Sequence, residues 1–194
     1  MLEYPKFISK DDINTLPMMM YTGRLEVIED HAHAFKAIEK LRSAKVLGFD
    51  TETRPSFAKG EFHPMALIQL ATSDCAYLFR LSKMPFPKEL LELFTTPTII
   101  KTGVGIQDDI KGIQKMISFE PQGFVDLSTE VKKRGFESLG LRALTAIFLK
   151  KRLSKAAKIT NWEKEHLSDD QLKYAANDAL AGFLIYEKLM ESGL

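Results

Sequence analysis

The apolar residues of the chain fall into short continuous runs and into longer stretches where they recur every three or four positions. A short apolar run predicts a buried strand, and the longer recurrence predicts a helix that buries one face. The predicted strands cover residues 25–28, 46–52, 65–72, 75–81, 99–104 and 122–128. The predicted helices cover residues 30–43, 87–94 and 106–117, together with most of the chain from 127 onward.

This order of elements predicts an α/β domain. Ser73 and Asp74 separate two of the strands and favour an antiparallel hairpin between them. Residues 23–194 are predicted to form one domain, which suits a chain of 194 residues with 45% hydrophobic content. Residues 1–22, with three consecutive methionines at 18–20, are predicted to form an N-terminal arm that packs on the domain or on a partner.

The first candidate for chemistry is the pair Asp50 and Glu52, at the end of the strand that begins at Val46. Residues two apart on a strand point to the same face, so the two carboxylates project together. Like charges in a poorly hydrated place repel each other, and a hard divalent cation would compensate them. A pair of solvated acids at a strand end is the alternative, and this motif alone does not exclude it.

A second acid, Asp109, lies in the predicted helix over 106–117. The buried stripe of that helix is defined by isoleucines spaced four, three and four residues apart, at positions 106, 110, 113 and 117. Asp109 borders this stripe, whereas Asp108 falls on a more polar face. Asp109 is therefore the inward candidate. The alternative, an acid favoured at a helix start by the helix dipole, applies better to Asp108.

Tyr174 and Asp178 lie in the last predicted helix, which starts at a capping Ser168. The two residues are four apart, so they stack on one face of the helix. This face differs from the apolar stripe at positions 172, 176, 179 and 183. Packing alone does not require a tyrosine and an acid there, and a solvated face with an incidental tyrosine is the alternative.

Three segments occur in order along the chain: FDTET at 49–53, GVGIQDD at 103–109 and YAAND at 174–178. They resemble the three exonuclease motifs of the DEDD superfamily, in its tyrosine-bearing branch. ALIQLAT at 66–72 and the run over 151–179 agree with this, and the pattern is similar to ribonuclease D and to the exonuclease domain of the Werner syndrome helicase. The resemblance extends from about residue 24 to the C-terminus and implies a ribonuclease H-like mixed β-sheet flanked by α-helices.

The resemblance implies a two-metal site that hydrolyses nucleic acid from its 3′ end and releases nucleoside 5′-monophosphates. Asp50 would bridge both metal ions, and Asp109 would support the second ion. Glu52 and Asp178 would complete the site of the ion that activates water, and Tyr174 would hydrogen-bond that water. Four acids without histidine or cysteine suit Mg²⁺ or Mn²⁺ better than zinc.

Basic residues crowd two segments, although a net charge of +1 argues neither for nor against a nucleic-acid partner. One segment precedes the last helix and supplies the candidate phosphate contacts Lys151, Arg152 and Lys155, with Lys150 and Lys158 beside them. The other ends an earlier helix, at positions 132–134. A solvated charged loop and a helix end that prefers cations are the alternatives.

Further candidate substrate contacts surround the first motif. Thr51 lies between the first two acids. Phe57 and Phe62 belong to the polar loop that follows Glu52, and either ring is available to stack on a base. The alternative is that these rings anchor the loop to the fold.

The cysteine, the histidines and the lengths of the apolar runs indicate which kinds of site and which class of protein the sequence excludes. A single cysteine, Cys75, excludes an internal disulfide and is expected to be a small buried residue. The four histidines do not form a ligand set, because His31 and His33 face different sides of a predicted helix and the other two are isolated. No apolar run approaches membrane-spanning length, so a soluble cytoplasmic enzyme without a membrane partner is expected.

Three function classes are compatible with these features. The leading one is a metal-dependent 3′-5′ exonuclease acting on single-stranded or 3′-ended DNA or RNA. The second is a different metal-dependent nuclease on the same fold, such as an endonuclease. The third is a non-catalytic nucleic-acid or protein-binding module. The presence of all five motif residues argues against this third class, because a binding module has no need of them.

Overall fold

The computed structural model describes residues 4–58, 60–157 and 159–193. Within these ranges the strands are β1 (Arg24–Ile28), β2 (Val46–Thr53), β3 (Met65–Ala71), β4 (Cys75–Arg80), β5 (Ile100–Gly103) and β6 (Phe124–Asp126). The helices are α1 (Lys10–Thr15), α2 (His31–Leu41), α3 (Glu89–Thr95), α4 (Gln107–Met116), α5 (Leu127–Lys133), α6 (Leu141–Leu149) and α7 (Asp169–Glu191).

The six strands form one mixed sheet in the order β1-β4-β3-β2-β5-β6. β3 runs antiparallel to both β2 and β4, which confirms the predicted hairpin, and the remaining pairs are parallel. The last strand is shorter than the predicted 122–128, because the Asp126 side chain accepts a hydrogen bond from the Ser128 amide and begins α5 there.

Helices cover both faces of the sheet. On one face, α2, α3 and α4 pack against the odd-numbered side chains of β2 and their neighbours in a large apolar cluster centred on Phe49 and Phe94. On the other face α7 crosses the central strands, and α5 and α6 pack against α7. The two faces of β2 therefore differ, and the even-numbered residues of β2 look toward α7.

Two glycines allow α7 to lie very close to the sheet. A Cβ atom on Gly48 of β2 would lie 1.9 Å from the carbonyl oxygen of Ala179, and one on Gly182 would lie 2.8 Å from that of Thr102. Small residues continue this contact, since Ala176 and Ala179 pack against Ala71 and Ala76 at full burial. The helix and strand backbones thus touch almost directly, and this contact sets the height of α7 over the sheet.

The described part of the segment 1–22 packs along α6 and the chain after it. The Tyr4 ring lies 4.5 Å from that of Phe148, and Ile13 is buried. Met18 pairs with Arg152 in an isolated parallel bridge, in which the Met19 amide donates to the Arg152 carbonyl at 2.9 Å. In the described ranges no helix combines the length and apolar character needed to cross a membrane.

Replacing Gly48 by alanine tests the close contact of α7 with β2. Since the added methyl meets backbone atoms that cannot rotate away, we expect Gly48→Ala to lower the free energy of unfolding by about 3 kcal/mol. Urea denaturation followed by circular dichroism measures this loss.

Gly112→Ala is the matched control, because there the new methyl meets only the terminal methyl of Met65, at 3.1 Å. Its effect is expected to stay within about 1 kcal/mol, the range of helix propensity differences. Equal effects of the two substitutions would contradict the assigned role of Gly48.

Candidate active site

Three carboxylates from two elements converge above the centre of the sheet. Asp50 and Glu52 come from β2 and Asp178 from α7, and one oxygen of each lies within 4.8 Å of the other two. The prediction that Asp50 and Glu52 project to one face is thereby confirmed. Asp178 reaches them because α7 lies so close to β2, and its side chain is 8% exposed.

Tyr174 lies one turn before Asp178 and is almost fully buried, so the solvated face considered from the sequence is excluded. Its ring centroid lies 6.0 Å from that of Trp162, which is fully buried, so Trp162 packs the approach to α7. Burial, and then the charges of Asp178 and Glu52, raise the pKa of the Tyr174 hydroxyl. The hydroxyl therefore keeps its proton at neutral pH.

Asp109 approaches from the opposite face of β2, on the first turn of α4. Ile106, Ile110 and Ile113 are buried as predicted, and Asp109 is half-buried whereas the side chain of Asp108 is 92% exposed. The prediction of which face of this helix is buried is thus confirmed. Asp109 Oδ1 accepts a hydrogen bond from the hydroxyl of Thr51, the residue between the first two acids.

The start of α4 is fixed by a residue that sequence reasoning missed. Asp126, at the end of β6, accepts hydrogen bonds from the amides of Gly105 and Ser128 through the same oxygen. Gly105 has a φ of +74°, which favours glycine in the turn that leads from β5 into α4. A carboxylate that caps one helix and holds the turn before another has no separate signature in the sequence.

The cluster is electrostatically unfavourable as a set of bare charges. Burial raises the pKa of the Asp50 carboxyl well above its ordinary value, and the charges of Asp178, Asp109 and Glu52 raise it further. Burial also raises the pKa of Asp109. Closely spaced carboxylate oxygens are the donors that hard divalent cations prefer, and a bound cation would remove the repulsion. The donor set therefore fits a divalent metal of this class.

A cavity of about 440 Å³ opens beside the acids. Its wall includes Asp50, Glu52, Tyr174 and Asp178, and the wall also contains Arg142, Ser154 and Lys155. Lys155 was a predicted substrate contact, whereas Arg142 and Ser154 were missed. Arg142 is carried by α6, and only the packing of α6 beside α7 brings it to the acids.

Thr51, another predicted substrate contact, also lies in the wall of this cavity, whereas the remaining predicted contacts lie elsewhere. Arg152 donates from Nε to the Leu16 carbonyl at 2.9 Å, so its guanidinium holds the N-terminal segment. Lys151 and Phe57 are exposed, Phe57 at 82%, and neither lines this cavity. Lys158 falls outside the described residues.

A second cavity, of about 410 Å³, lies on the far side of Thr51 and Asp109. The loop after β2 and the outer face of α4 form its walls, with Phe62, Lys115 and Met116 among them. The Lys115 ammonium lies 5.4 Å from the centroid of the Phe62 ring, which is 71% exposed. This side of the acids thus presents an aromatic face and a cation together.

Comparison with known proteins decides the family. A sequence model of the 3′-5′ exonuclease family matches residues 25–193. The chain belongs to this family. It is 36% identical over 160 residues to the mouse bifunctional 3′-5′ exonuclease/ATP-dependent helicase WRN, in a match that covers 79% of this chain and 11% of that relative. The chain thus spans about a tenth of the length of this exonuclease relative.

Two solved structures share the fold of this chain. The EXO domain of Aedes aegypti Nibbler superposes with a TM-score of 0.79 at 22% identity, covering 92% of this chain and 94% of that domain. Trypanosoma brucei ribonuclease D in complex with RNA U12 superposes with a TM-score of 0.76 at 19% identity, covering 92% of this chain and 64% of that chain. The predicted ribonuclease H-like mixed sheet flanked by helices is confirmed.

The raised pKa of Asp50 predicts how this residue affects stability. Folding favours the protonated form of the Asp50 carboxyl, so the contribution of this group to the free energy of unfolding is most favourable at acid pH. That contribution is lost as pH rises from the unfolded value of about 3.9 through the higher folded pKa. In EDTA at pH 7.5, Asp50→Asn should therefore raise the free energy of unfolding, because it removes the charge that the folded state disfavours.

Denaturant titrations in EDTA between pH 4.5 and 7.5 measure this difference. The advantage of the Asn variant should shrink as the pH falls, because the wild-type carboxyl then takes up its proton. Saturating Mn²⁺ should instead stabilise the wild type more than the variant, since a ligand stabilises the state that binds it. Equal stability of the two proteins at every pH would show that Asp50 is not under electrostatic stress.

Proposed function

We propose that the chain is a 3′-5′ exonuclease that hydrolyses single-stranded or 3′-ended nucleic acid and releases nucleoside 5′-monophosphates. The observation that carries this proposal is the convergence of Asp50, Glu52 and Asp178 with Tyr174 in the wall of one cavity. Membership of the 3′-5′ exonuclease family supports the polarity of the reaction. A cavity of about 440 Å³ lies within the range that accommodates a small ligand such as one nucleotide.

The proposed cofactors are two divalent ions, Mg²⁺ or Mn²⁺. Asp50, Glu52 and Asp178 would hold them, with Asp109 on the opposite side of β2 as the fourth carboxylate. When bound, the ions would supply positive charge to the attacking and leaving oxygens of an in-line phosphoryl displacement. A donor set of oxygens alone suits Mg²⁺ or Mn²⁺ better than zinc.

Tyr174 is the proposed group that orients the attacking water, as in the tyrosine-bearing branch of the DEDD superfamily. Its raised pKa keeps the hydroxyl protonated, so it acts as a hydrogen-bonding group and not as a general base. Its partner Asp178 is one turn away on the same helix, and Trp162 packs against the ring. The hydroxyl is therefore held in one direction, toward the acids.

The two cavities suggest the path of the substrate. They meet at Thr51, so a strand whose scissile phosphate lies at the acids would continue into the cavity that contains Phe62 and Lys115. An exposed aromatic ring beside a lysine suits a base and a neighbouring phosphate, without reading sequence. Lys155 and Arg142 provide cations on the other side of the acids.

A 5′-labelled oligonucleotide tests the proposed reaction. In Mg²⁺ or Mn²⁺ the labelled strand should shorten progressively from its 3′ end, and EDTA should stop the reaction. Circular single-stranded DNA is the control that separates an exonuclease from an endonuclease on the same fold, because it offers no 3′ end. Cleavage of the circle, or no cleavage of either substrate, would contradict the proposal.

The two adjacent acids of α4 provide a matched pair of variants. Asp109→Asn removes the half-buried carboxylate that Thr51 holds, and we expect nuclease turnover to fall on the order of 10²-fold or more. Asp108→Asn removes only an exposed partner of Lys111, and such pairs contribute little. Single-turnover assays in saturating Mn²⁺ should show this ranking, and the reverse ranking would place the metal-supporting role at Asp108.

The two exposed phenylalanines of the loop after β2 form a second pair. Phe62 borders the second cavity and Phe57 does not, so Phe62→Ala should raise the KM for a single-stranded oligonucleotide about 10-fold, as loss of one base stack predicts. Phe57→Ala should leave KM within about twofold, a difference below 0.5 kcal/mol.

A nucleoside 5′-(p-nitrophenyl) phosphate is the control substrate, because it has one nucleoside and cannot occupy both cavities. Phe62→Ala should hydrolyse it at the wild-type rate. An equal loss of hydrolytic activity on this ester and on the oligonucleotide would show that Phe62 supports the fold of the site instead of contacting the continuing strand.

A further inference from the structure

β3 is buried along its whole length, and one side chain in it is a polar exception. Gln69 is 0% exposed, and among the described residues neither its Oε1 nor its Nε2 has a hydrogen-bond partner. Leaving a buried amide unpaired costs about 1–3 kcal/mol. Methionine or leucine would fill a similar volume without that cost, so packing does not explain a glutamine at this position.

The register of the sheet places Gln69 next to the acids. Gln69 is paired with Asp50 across the antiparallel β2 and β3 strands, and Leu67 is paired with Glu52. Directly opposed residues share a face, with Cβ atoms about 4.5–5.5 Å apart. The Gln69 side chain therefore starts on the α7 face of the sheet, next to that of Asp50.

Asp50 needs such a neighbour if it is to coordinate a cation in one orientation. Its Oδ1 accepts a hydrogen bond from the Thr51 amide at 3.0 Å. Carboxylates that bind metals are themselves hydrogen-bonded by surrounding groups, and these partners fix which oxygen faces the ion. A glutamine side chain reaches across one strand spacing, and its Nε2 is a donor that stays neutral at every working pH.

We propose that Gln69 is a positioning residue for Asp50. Its Nε2 donates a hydrogen bond to the Asp50 carboxylate when that carboxylate binds a divalent cation, and this bond fixes the coordinating orientation. The inference rests on the proposed metal-dependent function. The Gln69 amide, which has no partner in its buried position, would gain a hydrogen bond when the metal is bound. This gain links the buried polar position in β3 to metal binding.

Gln69→Met tests this role, because it replaces the amide by an apolar side chain of similar length. Binding of Mn²⁺, measured by electron paramagnetic resonance of the free ion, should weaken about 10- to 100-fold. At fixed subsaturating Mn²⁺ the kcat on an oligonucleotide should fall, while its KM stays within twofold. The melting temperature in EDTA should not fall, since removal of an unpaired buried amide removes a cost.

Thr102→Val is the matched control. The Thr102 hydroxyl is also buried and unpartnered among the described residues, but Thr102 pairs with Gly48, two residues before Asp50 on β2. This variant should keep wild-type Mn²⁺ affinity and kcat. If Gln69→Met unfolds, Gln69→Leu provides a second apolar replacement, with near-ultraviolet circular dichroism as the test of packing.

The readouts separate this inference from the proposed function. Wild-type Mn²⁺ affinity in a folded Gln69→Met or Gln69→Leu variant would overturn the positioning role, even if the wild type degrades nucleic acid as proposed. Weakened Mn²⁺ binding in a folded variant supports the role, even if the wild type shows no nuclease activity. A loss of Mn²⁺ affinity in Thr102→Val of equal size would also overturn it, because any buried polar deletion would then have the same effect.

Discussion

The near contact between the backbones of α7 and β2 is the constraint on which the candidate site depends. Gly48 and Gly182 remove the side chains that would hold the helix away from the sheet, and the alanines of the same interface keep the separation small. Because α7 lies so low, Asp178 reaches the carboxylates of β2 and Tyr174 reaches into the same cavity. A helix held farther from the sheet would leave two acids on a strand and one on a helix without a common ligand.

This geometry has an electrostatic cost that the rest of the fold must offset. Burial, and then the charges of the neighbouring acids, raise the pKa of Asp50, which disfavours the folded state at neutral pH. The capping box at Ser168 and Gln171 anchors the start of α7, and Arg80 of β4 binds the carbonyls of the segment just before it. These contacts hold α7 in place against the repulsion of the charges that it helps to assemble.

The site is asymmetric about β2. Asp50 and Glu52 look toward α7, while Thr51 looks the other way and binds Asp109 of α4. Because side chains alternate along β2, the three-acid cluster lies on one face of the strand and the fourth acid on the other, and the two cavities lie on either side of this junction. A polymer with a repeating charge is the kind of ligand that fits two adjoining cavities with cations at both sides.

The sequence by itself determined the elements and much of the acidic site. Period-two alternation in β2 places Asp50 and Glu52 together, and the isoleucine spacing of α4 turns Asp109 inward and Asp108 outward, because both patterns depend on residues close in the chain. Tyr174 and Asp178 follow in the same way from the four-residue repeat of a helix.

Only the tertiary structure decided which groups meet across elements. Packing and strand register, which no local spacing encodes, place three residues beside the acids or beside a helix that carries one of them. These residues are Arg142 of α6, Asp126 of β6 and Gln69 of β3. Arg152, basic and close in sequence to Lys155, instead holds the N-terminal segment through its bond to Leu16. The direction in which a charged side chain points is set by the distant chain that surrounds it, and so composition alone could not separate the two residues.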